Sequence, residues 1–212
     1  MKNVYRVVLL FLIFVIVLLL FYSPSRNVFI SFTASYPLLS GFVKFAILAT
    51  LGELIVKKGL TRIYQRLFVW GCLGVLITYI FPIYSYGVDA LISKKMLPVF
   101  SNVPLLTIST AFWKSAWMNI IFAFPMMIAH RITDMLIDRG ALFSKWNIVN
   151  VWNKIDWENM WKVVAPSILW FWIPAHTITF CLPPEFRIIM AAGLSICLGL
   201  ILAFAKERSK NI

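Results

Sequence analysis

Seven side chains in this 212-residue chain are of types that do chemistry yet fall inside apolar runs: Lys44, Glu53, Asn119, His130, Arg131, Asp134 and His176. Polar and ionisable groups are costly in hydrocarbon, so each reads as a functional group facing a bundle interior or a water-filled cavity. His130 and Asp134 are four apart and Arg131 and Asp134 three apart, so on a helix one carboxylate serves both basic neighbours. Two readings of that trio stand: a self-satisfied cluster near one helix end, or one wall of a water-filled anion path. Lys44 and Glu53 share another run, but they lie half a turn out of phase and ~13 Å apart along a helix axis, so they are not an ion pair within it. Glu53 has Lys57 four residues on as a boundary partner. Lys44 lies deeper and is harder to explain as decoration.

These residues do not assemble into an enzyme. His130 and His176 on adjacent spans raise bis-histidine haem, but His130 lies ~22 Å in from the outer face and His176 ~20 Å from the inner one at ~1.5 Å per residue. In a core of ~30 Å those levels differ by ~10 Å or more, too far for two axial ligands of one iron. Ser195 would be the nucleophile of an intramembrane hydrolase, but nothing on its own helix could activate it. No Gly-rich phosphate loop, carboxylate pair or His–Glu metal helix is evident, and Cys72, Cys181 and Cys197 lie in three separate apolar segments without ligand-like spacing. The expectation is therefore no catalytic residues, no cofactor and no metal.

The elements that position these groups are membrane helices. The chain is 61% hydrophobic and 13% charged, with a mean hydropathy of +0.87, outside the range of soluble domains. The expected fold is all-α, a polytopic membrane helix bundle of about six spans. Residues 7–22 follow Lys2 and Arg6 and lack a small-x-small cleavage site, so residues 1–26 read as a retained signal-anchor helix and 27–212 as one transmembrane helical domain. After a turn at Ser23 to Arg26, further spans are expected at Pro37–Val56, Leu67–Val88, Ser115–Ile137, the stretch Trp157–Arg187 with a turn at Pro183, and Ile188–Ala205. Segments 97–112 and 144–161 are too apolar or Trp-rich for open loops and read as interfacial.

Pro82, Pro125, Pro166 and Pro174 fall inside spans, where each removes an amide donor and is expected to kink the helix. Carbonyls so released are tolerated only against protein or a water-filled cavity, leaving packing and a polar path as alternatives. Ala191, Ser195, Gly199 and Ala203 recur every four residues and form a small-residue stripe for close helix packing.

The net charge of +12 is spread in short groups between apolar runs, which argues against nucleic acid and for anionic membrane lipid. With six spans, 13 Lys and Arg fall on the side holding both termini and 5 on the other, so both termini are expected to be cytoplasmic.

The residues Trp157-x-x-x-Trp161, Pro174, Phe180 and Leu182-Pro183-x-x-x-Arg187, followed by a terminal apolar helix, resemble the C-terminal motif of the Mpv-seventeen and twenty-two-kilodalton peroxisomal membrane protein family. Tyr36-Pro37 opening a helix that ends in Gly52-Glu53, and Phe122 to Pro125, are similar to earlier parts of that family. The resemblance covers about 36–205, with the specific motif at 157–205. Because the first helix falls outside it, the chain reads as a prokaryotic relative with an added anchor, in a bacterial cytoplasmic membrane, with an organelle membrane as the alternative. The resemblance implies a channel or a protein affecting metabolite supply, with no settled substrate and no catalytic residues to carry over.

The expected function is a weakly selective channel or permeation path for small solutes, anions among them, lined by the seven residues above and compatible with a homo-oligomer. The alternative is a non-conducting scaffold that binds lipid or a protein partner through Trp146, Trp152 and their interfacial neighbours.

Overall fold

The computed structural model describes residues 22–56 and 61–208, and all their regular structure is helical. The elements are α1 (Ser23–Ser35), α2 (Pro37–Val56), α3 (Ile63–Ser93), α4 (Val103–Arg139), the short α5 (Ile148–Trp152), α6 (Trp157–Cys181) and α7 (Pro184–Arg208). Among the described residues α2, α3, α4 and α6 are long and apolar enough to cross a membrane, as fits an integral membrane protein. The expected anchor helix of residues 7–22 lies outside the described residues up to 21, as does Lys57.

Several element boundaries differ from expectation. Ser23 to Arg26 is the first turn of α1 rather than a loop, with Pro24 where the missing amide has no helical partner to lose. Residues 103–112, expected as a boundary segment, are the opening turns of α4, and α3 runs past both expected ends and continues through Pro82.

The other three prolines share a local device. Widened π turns span Asn119–Ala123, Met160–Val164 and Ile168–Trp172, and Pro125, Pro166 and Pro174 each follow the end of one by two residues. A proline ring presses on the carbonyl one turn back and offers no amide to it, so opening the preceding turn relieves the clash.

α2 and α3 pack through glycines. A methyl group added at Gly41 would overlap the Thr78 hydroxyl, and one added at Gly74 would overlap the Gly41 carbonyl, so only glycine permits this approach. α7 packs along α2, with Ala191 and Ala192 buried in a cluster that includes Phe45, Ala49, Phe81 and Phe180. Ala191 therefore takes its expected packing place; the side chains of Ser195, Gly199 and Ala203 lie outside the described residues.

Two ion pairs bracket the apolar slab. Arg66 meets Asp134 at 3.0 Å and Lys114 meets Asp89 at 2.9 Å. At ~1.5 Å per residue these levels are ~34 Å apart along α3 and ~30 Å along α4, the thickness of a bilayer's hydrocarbon core.

Candidate functional site

Arg66 is the hub of the site, although its place in sequence put it in a connecting loop. It is 1% exposed and donates through Nη1 to Glu53 Oε1 and Asp134 Oδ1, both at 3.0 Å. Nη2 donates to Asp138, and Nε donates to the Thr61 carbonyl at 3.2 Å. A planar fork of five donors suits such a convergence of carboxylates in a way that a lysine ammonium does not. The absence of a carboxylate pair from the sequence is thus corrected: Glu53 from α2 and Asp134 and Asp138 from α4 meet around one guanidinium. Their spacing in the chain gives no sign of it, since the contacts span 13, 68 and 72 residues. Moving Arg66 out of solvent also leaves 12 rather than 13 basic residues for the predicted cytoplasmic side.

The same end is tightened by neighbours. Trp70 Nε1 donates to Glu53 Oε2 at 3.3 Å, and its ring lies 4.1 Å from that of His130. His130 Nε2 is 3.9 Å from Asp134 Oδ2, in keeping with the expected i,i+4 pairing. Arg62 donates to the Ile137 and Asp138 carbonyls at 2.8 and 3.0 Å, satisfying the last turn of α4. Its guanidinium also lies where a Cβ on left-handed Gly140 would fall.

Glu53, His130 and Asp134 each offer a ligand atom within 4.8 Å of the others, so they are the residues that could hold a cation. Arg66 already bonds to both carboxylates.

A second polar group sits one level up. Ser115 Oγ donates to the Ile173 carbonyl at 2.7 Å, tying α4 to α6. Asn119 Nδ2 donates to the Ser115 carbonyl at 2.8 Å and to its hydroxyl at 3.2 Å. With the amide so oriented, Asn119 Oδ1 is the acceptor facing His176 Nδ1 at 3.1 Å, and that nitrogen carries the proton. The His176 ring stacks on Trp172 at 5.4 Å and meets the edge of Phe81 at 5.8 Å.

Between the two levels lies a cavity of about 270 Å³. Its walls are mostly apolar, with Phe, Trp, Met, Ile, Leu and Ala side chains, and its polar lining includes Glu53, Asn119, His130, Arg131, Asp134 and His176. Six of the seven residues singled out in sequence therefore line one space. His130 lies beside Trp70 and His176 beside Phe81, a separation of ~16 Å along α3, consistent with the levels that separated the two histidines in sequence.

Lys44 lies elsewhere. Its ammonium donates to Thr33 Oγ1 at 2.8 Å and sits 4.2 Å from the centre of the Phe29 ring, between α1 and α2 and not on the cavity wall.

The motif of residues 157–205 has a structural explanation. Arg187 donates to the Leu182 and Phe180 carbonyls at 2.9 and 3.2 Å, closing the end of α6 from the first turn of α7, and its guanidinium lies over the Phe180 ring. The Pro183 carbonyl accepts from the Phe186 amide at 3.0 Å, completing the turn between the helices. Trp157 donates to the Trp152 carbonyl at 3.3 Å, while Trp161 is 62% exposed and packs on Phe124. Pro174 follows the second π turn of α6.

No family model, curated protein or solved structure matches the chain.

Proposed function

We propose that the protein provides a weakly selective path for small solutes across a membrane, with the cavity between α2, α3, α4, α6 and α7 as its binding chamber. One observation carries this reading: polar side chains from three apolar helices line a common space between the two charged levels of the slab. Polar groups at membrane depth are stable where they line a cavity or meet each other, and transport sites are commonly built near the midplane beside locally broken helices. Three π turns in α4 and α6 supply that local irregularity here. The similarity of residues 157–205 to the Mpv-seventeen and twenty-two-kilodalton peroxisomal membrane protein family supports the same class. A bacterial cytoplasmic membrane and cytoplasmic termini complete the reading.

Purified protein in planar bilayers and proteoliposomes tests it. Solute flux or single-channel events are expected, and His176→Leu, which removes a polar wall group, should reduce them. Absence of both conductance and flux over several lipid mixtures would exclude a path.

A scaffold role has its own support in Trp146 and Trp152, each more than two-fifths exposed on the segment joining α4 to α6. That role predicts loss of lipid or partner association in a Trp146→Ala/Trp152→Ala protein, with the cavity substitutions silent.

A further inference from the structure

We propose that the cavity binds a small neutral ring compound carrying one hydroxyl donor, a phenol in chemical class, with the hydroxyl donating to His176 Nε2 and the ring lying among the apolar side chains of the wall. This names a solute class for the chamber above; only the statement that the bound phenol crosses the membrane rests on that reading.

His176 brings an unused acceptor to the wall. Asn119 Nδ2 is turned toward Ser115 by two bonds, so Asn119 Oδ1 takes the Nδ1 proton of His176 at 3.1 Å. A neutral imidazole with its proton on Nδ1 carries a lone pair on Nε2. The ring's other contacts are the faces and edges of Trp172 and Phe81, and Nε2 has no hydrogen-bond partner among the described residues. Asn119, Trp172 and Phe81 line the same cavity as His176, so Nε2 is the polar atom that this part of the wall has left to offer. An acceptor without a donor at membrane depth carries a desolvation cost, which a ligand's hydroxyl removes.

The polar groups at the other end favour a neutral ligand. Glu53 and Asp134 already accept from Arg66, and Glu53 also accepts from Trp70. An ion entering there would compete for groups that hold one another, whereas a single hydroxyl asks for a single acceptor. Arg131 stands on the wall at that end and makes a carboxylate the rival ligand.

The space around the acceptor sets the size and shape of the body. Phe45, Ile77, Phe122, Met126 and Met127 line it, a surface that methionines can fit to an apolar guest, and the Phe81 and Trp172 rings beside His176 suit an aromatic neighbour. At about 270 Å³ the cavity exceeds the ~150 Å³ that suffices for benzene in an apolar interior and falls just below the usual ~300–1,000 Å³ of drug-sized sites. One ring with a short alkyl arm matches that volume.

Equilibrium binding to the full chain in nanodiscs, corrected for uptake by empty nanodiscs of the same lipid, tests this with 4-propylphenol, its methyl ether 4-propylanisole and 4-propylbenzoate at pH 7. The phenol should bind about three- to tenfold more tightly than the ether, which keeps the oxygen and loses the donor, and more tightly than the carboxylate. An ether that binds as tightly as the phenol overturns the proposal, and so does a carboxylate that binds as tightly or more so, which would assign the site to Arg131. His176→Phe keeps a ring against Trp172 and removes the acceptor, so the phenol should fall to the affinity of the ether; a preference that survives in the folded variant also overturns the proposal. Should His176→Phe not fold, nitrogen NMR of the wild-type chain with isotope-labelled histidine decides. Saturating phenol should shift the Nε2 signal of the imidazole protonated on Nδ1, and the ether should not; a signal unmoved by phenol overturns the proposal. Phenol preference without flux removes the path reading and keeps this one, whereas flux without phenol preference does the reverse.

Discussion

Of the three cations buried among the described residues, Arg66, Lys44 and Lys114, the first two are held in opposite ways. Arg66 is gripped by three carboxylates from two other helices and by a backbone carbonyl. Lys44 is met by a threonine hydroxyl and the face of a phenylalanine. A buried guanidinium among carboxylates cannot be removed alone, because its partners then stay behind as uncompensated buried charge. An ammonium on a flexible stem, bonded to one hydroxyl, leaves little behind when it goes. Arg66 therefore fixes the relation of α2, α3 and α4, while Lys44 trims the contact of α1 with α2.

The largest test of that contrast is Arg66→Met, which should lower stability by about 3–5 kcal/mol, read as a fall in thermal midpoint in detergent. Adding Glu53→Gln and Asp134→Asn should restore part of the loss, since the stranded charges are gone; a triple variant less stable than the single one would show that the network does not act through charge. Arg66→Lys, which keeps the charge and loses the fork, should fall in between.

Asn119→Leu replaces an uncharged junction and should cost about 1–3 kcal/mol, because it leaves the His176 Nδ1 proton without its acceptor. If that variant were as damaging as Arg66→Met, the Asn119–His176 level and not the Arg66 level would organise the bundle. Gly140→Ala should cost about 1–2 kcal/mol for its left-handed backbone alone, with further loss from displacing Arg62. Wild-type stability would mean that Arg62 contributes nothing to closing α4. Lys44→Met should be the mildest, within about 1 kcal/mol, and should leave solute preference unchanged because Lys44 is not on the cavity wall. A marked change in preference would put Lys44 back on the path and break the comparison.

Much of this site was legible in sequence, for a reason particular to membranes. A charge or amide in an apolar run stands out there, and Glu53, Asn119, His130, Arg131, Asp134 and His176 were marked on that ground alone. Arg66 escaped because it ends a basic connection, where a topology signal and a buried hub look alike in composition; Ser115 and Trp70 escaped because serine and tryptophan are ordinary at helix borders. Pro82 and Pro125 read alike in sequence, yet one leaves α3 continuous and the other follows a π turn.

The sequence by itself determined the class of this protein. Long apolar helices follow from the chemistry of each segment, as does the local i,i+4 pair of His130 and Asp134, because both depend on neighbours along the chain. Only the tertiary structure decided which polar groups share a space, that Lys44 is not among them, and that Arg66 gathers carboxylates 13 to 72 residues away. Those outcomes depend on which faces of packed helices meet, and a helix displays its faces to every possible neighbour until packing selects one.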